Sequence, residues 1–233
     1  MTLAGIARGG VASLPPGLRW RTRNTIALMR WMWMRTTGAE GAYSEDFWAL
    51  HDSGDWEGFA EAILRFCEPR SIVDVGCGDG KLLAAVRRRA PALTLLGIDS
   101  AQPALDRAGA AGVPVALHDL ASTRRADLEA VRSRAGGFDV VMSLETAEHL
   151  PPWAGRAFVE TLARGRMIVF SAAHPGQAGT LHMNERSAEY WRGLFAERGY
   201  LLAAANTEFR AAIAALDLPS WYAANIQLFE RRG

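Results

Sequence analysis

The sequence predicts an α/β fold: a doubly wound, mostly parallel sheet of seven strands with helices on both faces. Three observations carry that expectation. A β-branched run, Ile72-Val73-Asp74-Val75, breaks into alternating glycines at Gly76, Gly78 and Gly80, and a helical pattern starts at once. From Ser71 to Ser171, short apolar runs then alternate with stretches of helical length and spacing. Strands separated by such helices need right-handed crossovers, and a sheet built that way is parallel and covered on both faces. Finally, 233 residues with 49% apolar content suffice for one domain with a large core and an appendage.

Residues 1–42 read as a basic, aromatic N-terminal leader or lid, and residues 43–233 as the main domain. In the leader Arg8, Arg19, Arg21, Arg23, Arg30 and Arg35 face only Glu40, with Trp20, Trp31 and Trp33 interleaved. It lacks the clean apolar core and small-residue cleavage site of a signal peptide, which argues against export. The favoured expectation is a helix covering the domain, arginines solvated and tryptophans packed, after a break at Pro15-Pro16-Gly17. A membrane-surface or nucleic-acid helix competes with it. Residues 43–68 suit two helices joined at Asp52-Ser53-Gly54-Asp55, the second ended by Pro69.

Strands are then expected at 72–75, 93–98, 113–117, 138–144 and 166–171, with helices at 82–89, 102–110, 124–134 and 153–164. Regularity lapses over 172–187, a stretch with Pro175, Gly176 and Gly179, and loops of that length are usually functional or disordered. A helix at 188–198 and strands near 201–204 and 225–230 complete the pattern.

Charge and cysteine content narrow the partners. A net charge of +1 supplies no general field for nucleic acid, and no uninterrupted apolar stretch of about 18 residues suggests a membrane span. Cys67 and Cys77 cannot form a disulfide framework, so a reducing cytoplasm is the simpler compartment. No nucleic-acid partner is expected; a homodimer stays open.

The glycine loop carries the first chemical signal. Glycine lets a ligand approach the backbone closely, and the free N–H groups of the helix that follows attract polar or anionic groups. Lys81 stands where the dinucleotide fingerprint wants its third glycine, which disfavours a nicotinamide-dependent oxidoreductase without removing it. Asp99, closing the second strand, is placed to accept both hydroxyls of a ribose. Asp119, closing the third, is placed to accept from an exocyclic amine.

From about Tyr43 onward the chain resembles the class I S-adenosylmethionine-dependent methyltransferases. The resemblance rests on Val73-Asp74-Val75-Gly76-Cys77-Gly78-Asp79-Gly80, Gly97-Ile98-Asp99, His118-Asp119-Leu120 and Phe138-Asp139-Val140-Val141-Met142-Ser143-Leu144-Glu145. It implies a Rossmann-like fold and S-adenosylmethionine as cofactor. It also implies cofactor contacts from Gly76, Gly78 and Gly80 along the methionine part, from Asp74 there or else as a backbone cap, from Asp99 with Ser100 at the ribose, from Asp119 and Leu120 at the adenine, and from Glu145 in the loop 145–150, which faces cofactor and substrate.

A second stretch, residues 172–185 followed by Tyr190-Trp191, resembles a narrower group of bacterial small-molecule methyltransferases from secondary-metabolite or glycan pathways. It implies methyl transfer to a hydroxyl or amine of a small molecule, such as a sugar or glycosylated natural product. His149 and His182 are the candidate bases, since imidazole accepts a proton near neutral pH; His149 read as a helix cap is the alternative. His174, Gln177, Asn184 and Trp191 are the candidate acceptor contacts, with Trp48 and Trp221 as further pocket aromatics. No metal is expected, because the histidines lack tight ligand spacing and no cysteine cluster joins them. A non-catalytic cofactor-binding protein, docking through its leader, is the remaining alternative.

Overall fold

The computed structural model describes residues 11, 13–37, 54–122 and 124–232. Its strands are β1 Ser71–Val75, β2 Thr94–Asp99, β3 Val115–Leu117, β4 Val140–Leu144, β5 Met167–Ser171, β6 Tyr200–Leu202 and β7 Gln227–Arg231. The helices are α1 Pro16–Thr37, α2 Trp56–Cys67, α3 Lys81–Arg89, α4 Gln102–Ala110, α5 Arg125–Ala135, α6 Gly155–Leu162, α7 Ala188–Ala196, α8 Asn206–Ala214 and α9 Ser220–Asn225.

The strand order is β3-β2-β1-β4-β5-β7-β6, with β1 to β5 parallel and β7 antiparallel to both of its neighbours. The chain works outward from β1 to β3, then returns to lay β4 on the other side of β1. The order reverses there, and the loops at the carboxyl ends of β1 and β4 diverge to leave a crevice.

Alternation along the strands supplies both cores, because successive side chains point to opposite faces. Ile72, Val140, Met142 and Val169 pack with Phe59 and Ile63 of α2, Leu83 of α3 and Phe209 of α8. Val73, Val141, Ile168 and Phe170 pack with Phe158 and Leu162 of α6 and with Trp191 and Phe195 of α7. Apolar side chains on both faces make the central strands continuous hydrophobic runs, which is why a sheet of this kind is visible in sequence.

Several expectations need correction. Helix α1 begins at Pro16 itself, since a proline at the first helical position forgoes an N–H that has no intrahelical partner anyway. The leader tryptophans are not all packed: Trp33 is 59% exposed, because α1 crosses the mouth of the crevice and only one side of it meets the domain. Helices α8 and α9 were not foreseen. Tyr43, Phe47 and Trp48, with the first of the two helices expected around them, lie outside the described residues. Among those described, no helix is long and apolar enough to cross a membrane.

Candidate active site

The turn after β1 is folded by its own backbone. The amides of Gly76 and Cys77 donate to the Ile98 carbonyl at the end of β2 (2.7 and 3.2 Å), and Gly80 N donates to Cys77 O (3.0 Å). Gly76, with φ +90°, could not be another residue: a Cβ there would lie 2.2 Å from Thr146 Oγ1. Thr146 reaches across from the loop after β4 and donates to the carbonyls of Gly76 (3.3 Å) and Leu144 (3.1 Å). Gly80, with φ +73°, is needed for packing, since its Cβ would meet Ala108 Cβ of α4 at 2.6 Å.

The crevice above this turn is a cleft of about 580 Å³. Of the residues expected at the cofactor, Asp74, Gly76, Gly78, Asp99, Ser100, Asp119, Leu120 and Glu145 line it; Gly80 lies behind it as the start of α3.

Three of the acids that line this cleft, Asp74, Asp99 and Asp119, are in different states. Asp74 is buried, and its Oδ1 has no hydrogen-bond partner among the described residues. Burial, reinforced by the nearby Asp99, pushes its carboxyl up to about 7. Asp99 is also raised by burial, against the pull of backbone amides: its Oδ2 accepts from Gly78 N and its Oδ1 from Ala101 N, both at 2.9 Å. Each oxygen keeps a second lone pair for a ligand. Asp119 is already engaged, accepting from Arg35 Nη2 of α1 (2.6 Å) and from Ala121 N (3.1 Å).

Helix α1 therefore belongs to the site. Trp31, Met34 and Arg35 line the cleft, and Trp31 meets Trp153 edge-on at 6.4 Å between centroids. Arg23 donates to the Gly176 carbonyl (3.3 Å). The buried Asn24 amide, turned so that both ends are satisfied, accepts from Glu185 N (3.1 Å) and donates to His182 O (3.3 Å).

The opposite wall is built by the turn after β4 and the long loop after β5. Met183 N and Asn184 N donate to the Glu148 carbonyl (2.9 and 3.0 Å), clamping the loop onto the short 3-10 turn Ala147–His149. That clamp brings the His149 and His182 rings to 4.9 Å, edge to face. Glu185, largely buried, accepts from Gly176 N (2.8 Å) and Ala178 N (2.9 Å) and stands 3.2 Å from His182 Nδ1. These bonds hold it below the usual carboxylate range despite burial. An ionised carboxylate only accepts, so the pair selects the Nδ1–H tautomer of His182.

Beside the histidines, Glu148 is fully buried and neither carboxyl oxygen makes a well-formed hydrogen bond among the described residues. Burial and the neighbouring Glu145 push it well up, while amides of Glu148 and Ala173 pull weakly the other way. Glu145 is itself raised by burial, although Asn225 Nδ2 donates to both of its oxygens (3.1 and 3.0 Å). Glu148, His149 and His182 offer ligand atoms within 4.8 Å of one another. Sequence separation had argued against a metal; the clamp on the Glu148 carbonyl removes that argument by folding position 182 onto position 149.

Of the two candidate bases His149 lines the cleft and His182 does not, and the expected acceptor contacts His174, Gln177, Asn184 and Trp191 lie outside it too. Gln177 Oε1 accepts from His174 N (2.8 Å), which closes the loop on itself. Asn184 is buried, donating to Ala147 O (3.3 Å) and accepting from Arg186 Nε (2.9 Å). Trp191, 1% exposed, is a core side chain against Phe170 and Tyr190. Of the aromatics near the C-terminus, Tyr222 lines the cleft in place of its neighbour Trp221. Glu148, Glu185, Thr146 and Tyr222 were not anticipated.

The fold is that of the class I, S-adenosylmethionine-dependent methyltransferases. Residues 72–165 match the methyltransferase domain family. A ubiquinone biosynthesis O-methyltransferase of Neisseria meningitidis is 32% identical over 149 residues, covering 60% of this chain and 59% of that protein. The chain thus spans about three fifths of that relative's length. A sugar N-methyltransferase from a Streptoalloteichus species has the same fold, with a TM-score of 0.57 at 15% identity over 84% of this chain and 98% of that one. So does a small RNA methyltransferase, HEN1, with a TM-score of 0.53 at 17% identity over 83% of this chain and 26% of that one. The residues of the cleft fit the cofactor of this class: a glycine cradle that a Cβ would fill and a buried carboxyl with an oxygen to spare.

Proposed function

We propose that the protein transfers a methyl group from S-adenosylmethionine to a hydroxyl or amine of a small molecule, a hydroxyl being the atom its sequence relative supports. The observation that carries this reading is the convergence on one cleft of the glycine cradle with Asp74 and Asp99 on one side, and of Glu145 and His149 on the other. The cofactor supplies an activated methyl on a cationic sulfonium. Gly76 and Gly78 would admit its chain, Asp74 would face its positive end, Asp99 would accept from the ribose, and Asp119 would exchange Arg35 for the adenine amine. Alignment of this kind supplies about 7 to 11 kcal/mol of a barrier, more than one base contributes. Helix α1 acts as the lid over both walls, and the free Cys67 and Cys77 fit a cytoplasmic enzyme. A sugar or glycosylated natural product suits a wall of acids and one imidazole, that of His149.

The state of Glu148 supports a specific role for the two histidines. Buried without a well-formed hydrogen bond, its carboxyl either keeps a proton or gains a cation. In the first state His149 takes the acceptor's proton as a general base. In the second, Glu148, His149 and His182 hold a divalent cation that lowers the pKa of a bound hydroxyl, with Glu185 orienting His182 from behind. Transfer of labelled methyl to a panel of hydroxylated acceptors, with chelator or with added Mg²⁺, Mn²⁺ or Zn²⁺, tests both. Turnover lost to chelator, regained with one ion and abolished in Glu148→Gln supports the cation. Turnover indifferent to chelator but reduced about 10²-fold in His149→Gln supports the base. No transfer to any acceptor, with the cofactor bound, would leave a cofactor-binding protein instead.

A further inference from the structure

Five of the nine large apolar side chains exposed among the described residues sit on α1: Leu18, Ile26, Met29, Met32 and Trp33. At about 100° per residue they gather on one side of the helix, in an arc about 120° wide shared with Thr22, Thr25 and Thr36, whose hydroxyls donate to carbonyls of the helix itself. The packed residues Trp20, Asn24 and Trp31 lie on the opposite side. Arg21 and Arg30, both exposed, flank the arc on its two edges. Helix α1 holds five arginines and no acidic residue. Trp153, 54% exposed, meets Trp31 on the inner side of the helix and is not part of this arc.

We propose that the outer face of α1 docks on an anionic lipid surface, lying in the interface with its apolar arc sunk among the acyl chains and its arginines at the headgroups. A helix with Trp, Leu and Met on one side and arginines at the edges matches that environment. Long arginine stems bend outward to reach phosphates while the centre stays dry. The alternatives fit less well. Two copies meeting face to face would oppose arginines with no carboxylate on either helix, and a nucleic acid would meet an apolar centre carrying few hydrogen-bond donors. The chain lies on the membrane here and does not span it. The docked state rests on α1 alone, so it stands or falls independently of the methyl-transfer reading.

Sedimentation of the whole protein with vesicles tests it, using phosphatidylcholine alone and phosphatidylcholine mixed with phosphatidylglycerol. The protein is expected to pellet with the anionic vesicles only, and to be released as salt screens the arginines. The double variant Met29→Glu with Trp33→Glu should lose partitioning by about tenfold or more, since each carboxylate enters the acyl boundary. Arg21→Gln with Arg30→Gln should reduce binding to the anionic vesicles; both variants should keep the wild-type thermal transition, because these side chains are exposed. Failure of the wild type to pellet, or unchanged pelleting of Met29→Glu with Trp33→Glu, would overturn the proposal. A concentration-dependent dimer, or RNA binding, lost in these variants while vesicles are ignored, would assign the face to a second copy or to nucleic acid and overturn it equally.

Discussion

Replacing Gly76 by alanine is the sharpest perturbation of the cofactor loop. The residue sits at φ +90°, a conformation that costs a side chain about 1 to 2 kcal/mol. The added Cβ would lie 2.2 Å from Thr146 Oγ1, 2.4 Å from Cγ2 and 2.8 Å from Cβ. Rotating Thr146 cannot relieve the last contact and would break its bonds to Gly76 and Leu144. Overpacking of this kind costs about 1 to 3 kcal/mol more, giving roughly 2 to 5 kcal/mol in all. Thr146→Ala should rescue little, because its Cβ remains; Thr146→Gly should remove the clash and leave the φ strain. Urea denaturation of the single and double variants gives the stabilities, and calorimetry with the demethylated cofactor gives the affinity. If Gly76→Ala unfolds within about 0.5 kcal/mol of wild type and binds the cofactor normally, the cradle is not built as described.

Asp99→Ala should weaken the cofactor strongly in calorimetry, since each charge-assisted bond contributes about 1.5 to 3 kcal/mol, and lower the melting temperature through the two amides it now satisfies. Asp74 should make the ligand-free protein less stable as pH rises: a carboxyl raised from 3.8 to about 7 is protonated more strongly folded than unfolded. That contribution, at most about 4 kcal/mol, is full below about pH 4 and lost as pH climbs through 7. Denaturation across that range should flatten in Asp74→Asn, and a cationic ligand should bind wild type more tightly at pH 8 than at pH 6. Arg35→Ala should leave stability within about 1 kcal/mol, because the Asp119 pair is partly exposed, yet speed cofactor association in stopped flow by freeing Asp119. Trp191→Ala should cost about 3 to 5 kcal/mol as a core truncation, while Trp191→Phe, if it folds, should keep the acceptor KM unchanged.

Strands β1, β4 and β5 were legible because each is buried on both faces and largely apolar, while β2 and the exposed edge strand β3 were placed by the acids that close them. The cofactor wall followed from those acids. Helices α8 and α9 were not legible: α8 buries only Phe209 and Ile213, and α9 has six residues, too few to show a period. Trp191 was readable after all, since Leu194 and Phe195 follow at helical spacing and mark the same inward face. Glu148 was hidden because a charged residue type carries no signal of burial. Only the fold brings Glu145 beside it and clamps the later loop over both. The nearness of His149 to His182 likewise depends on hydrogen bonds to a carbonyl, which every residue possesses.

The pair of hydrogen bonds from Asn225 to Glu145 spans 80 positions of chain and closes immediately before β7, the strand that slips between β5 and β6. Synthesis runs from the N-terminus at about 5 to 20 residues per second. Glu145, held at φ +48° beside a second buried acid, therefore waits roughly 4 to 16 seconds for the amide that steadies it. During that interval the cradle, Asp74 and Asp99 are already made, and β5 offers an unpaired edge to whatever lies near. A nascent chain would thus complete the glycine-turn wall of the cleft before the opposite wall, and the ribosome, by holding back position 225, would set the order in which the two halves of the cleft come into being.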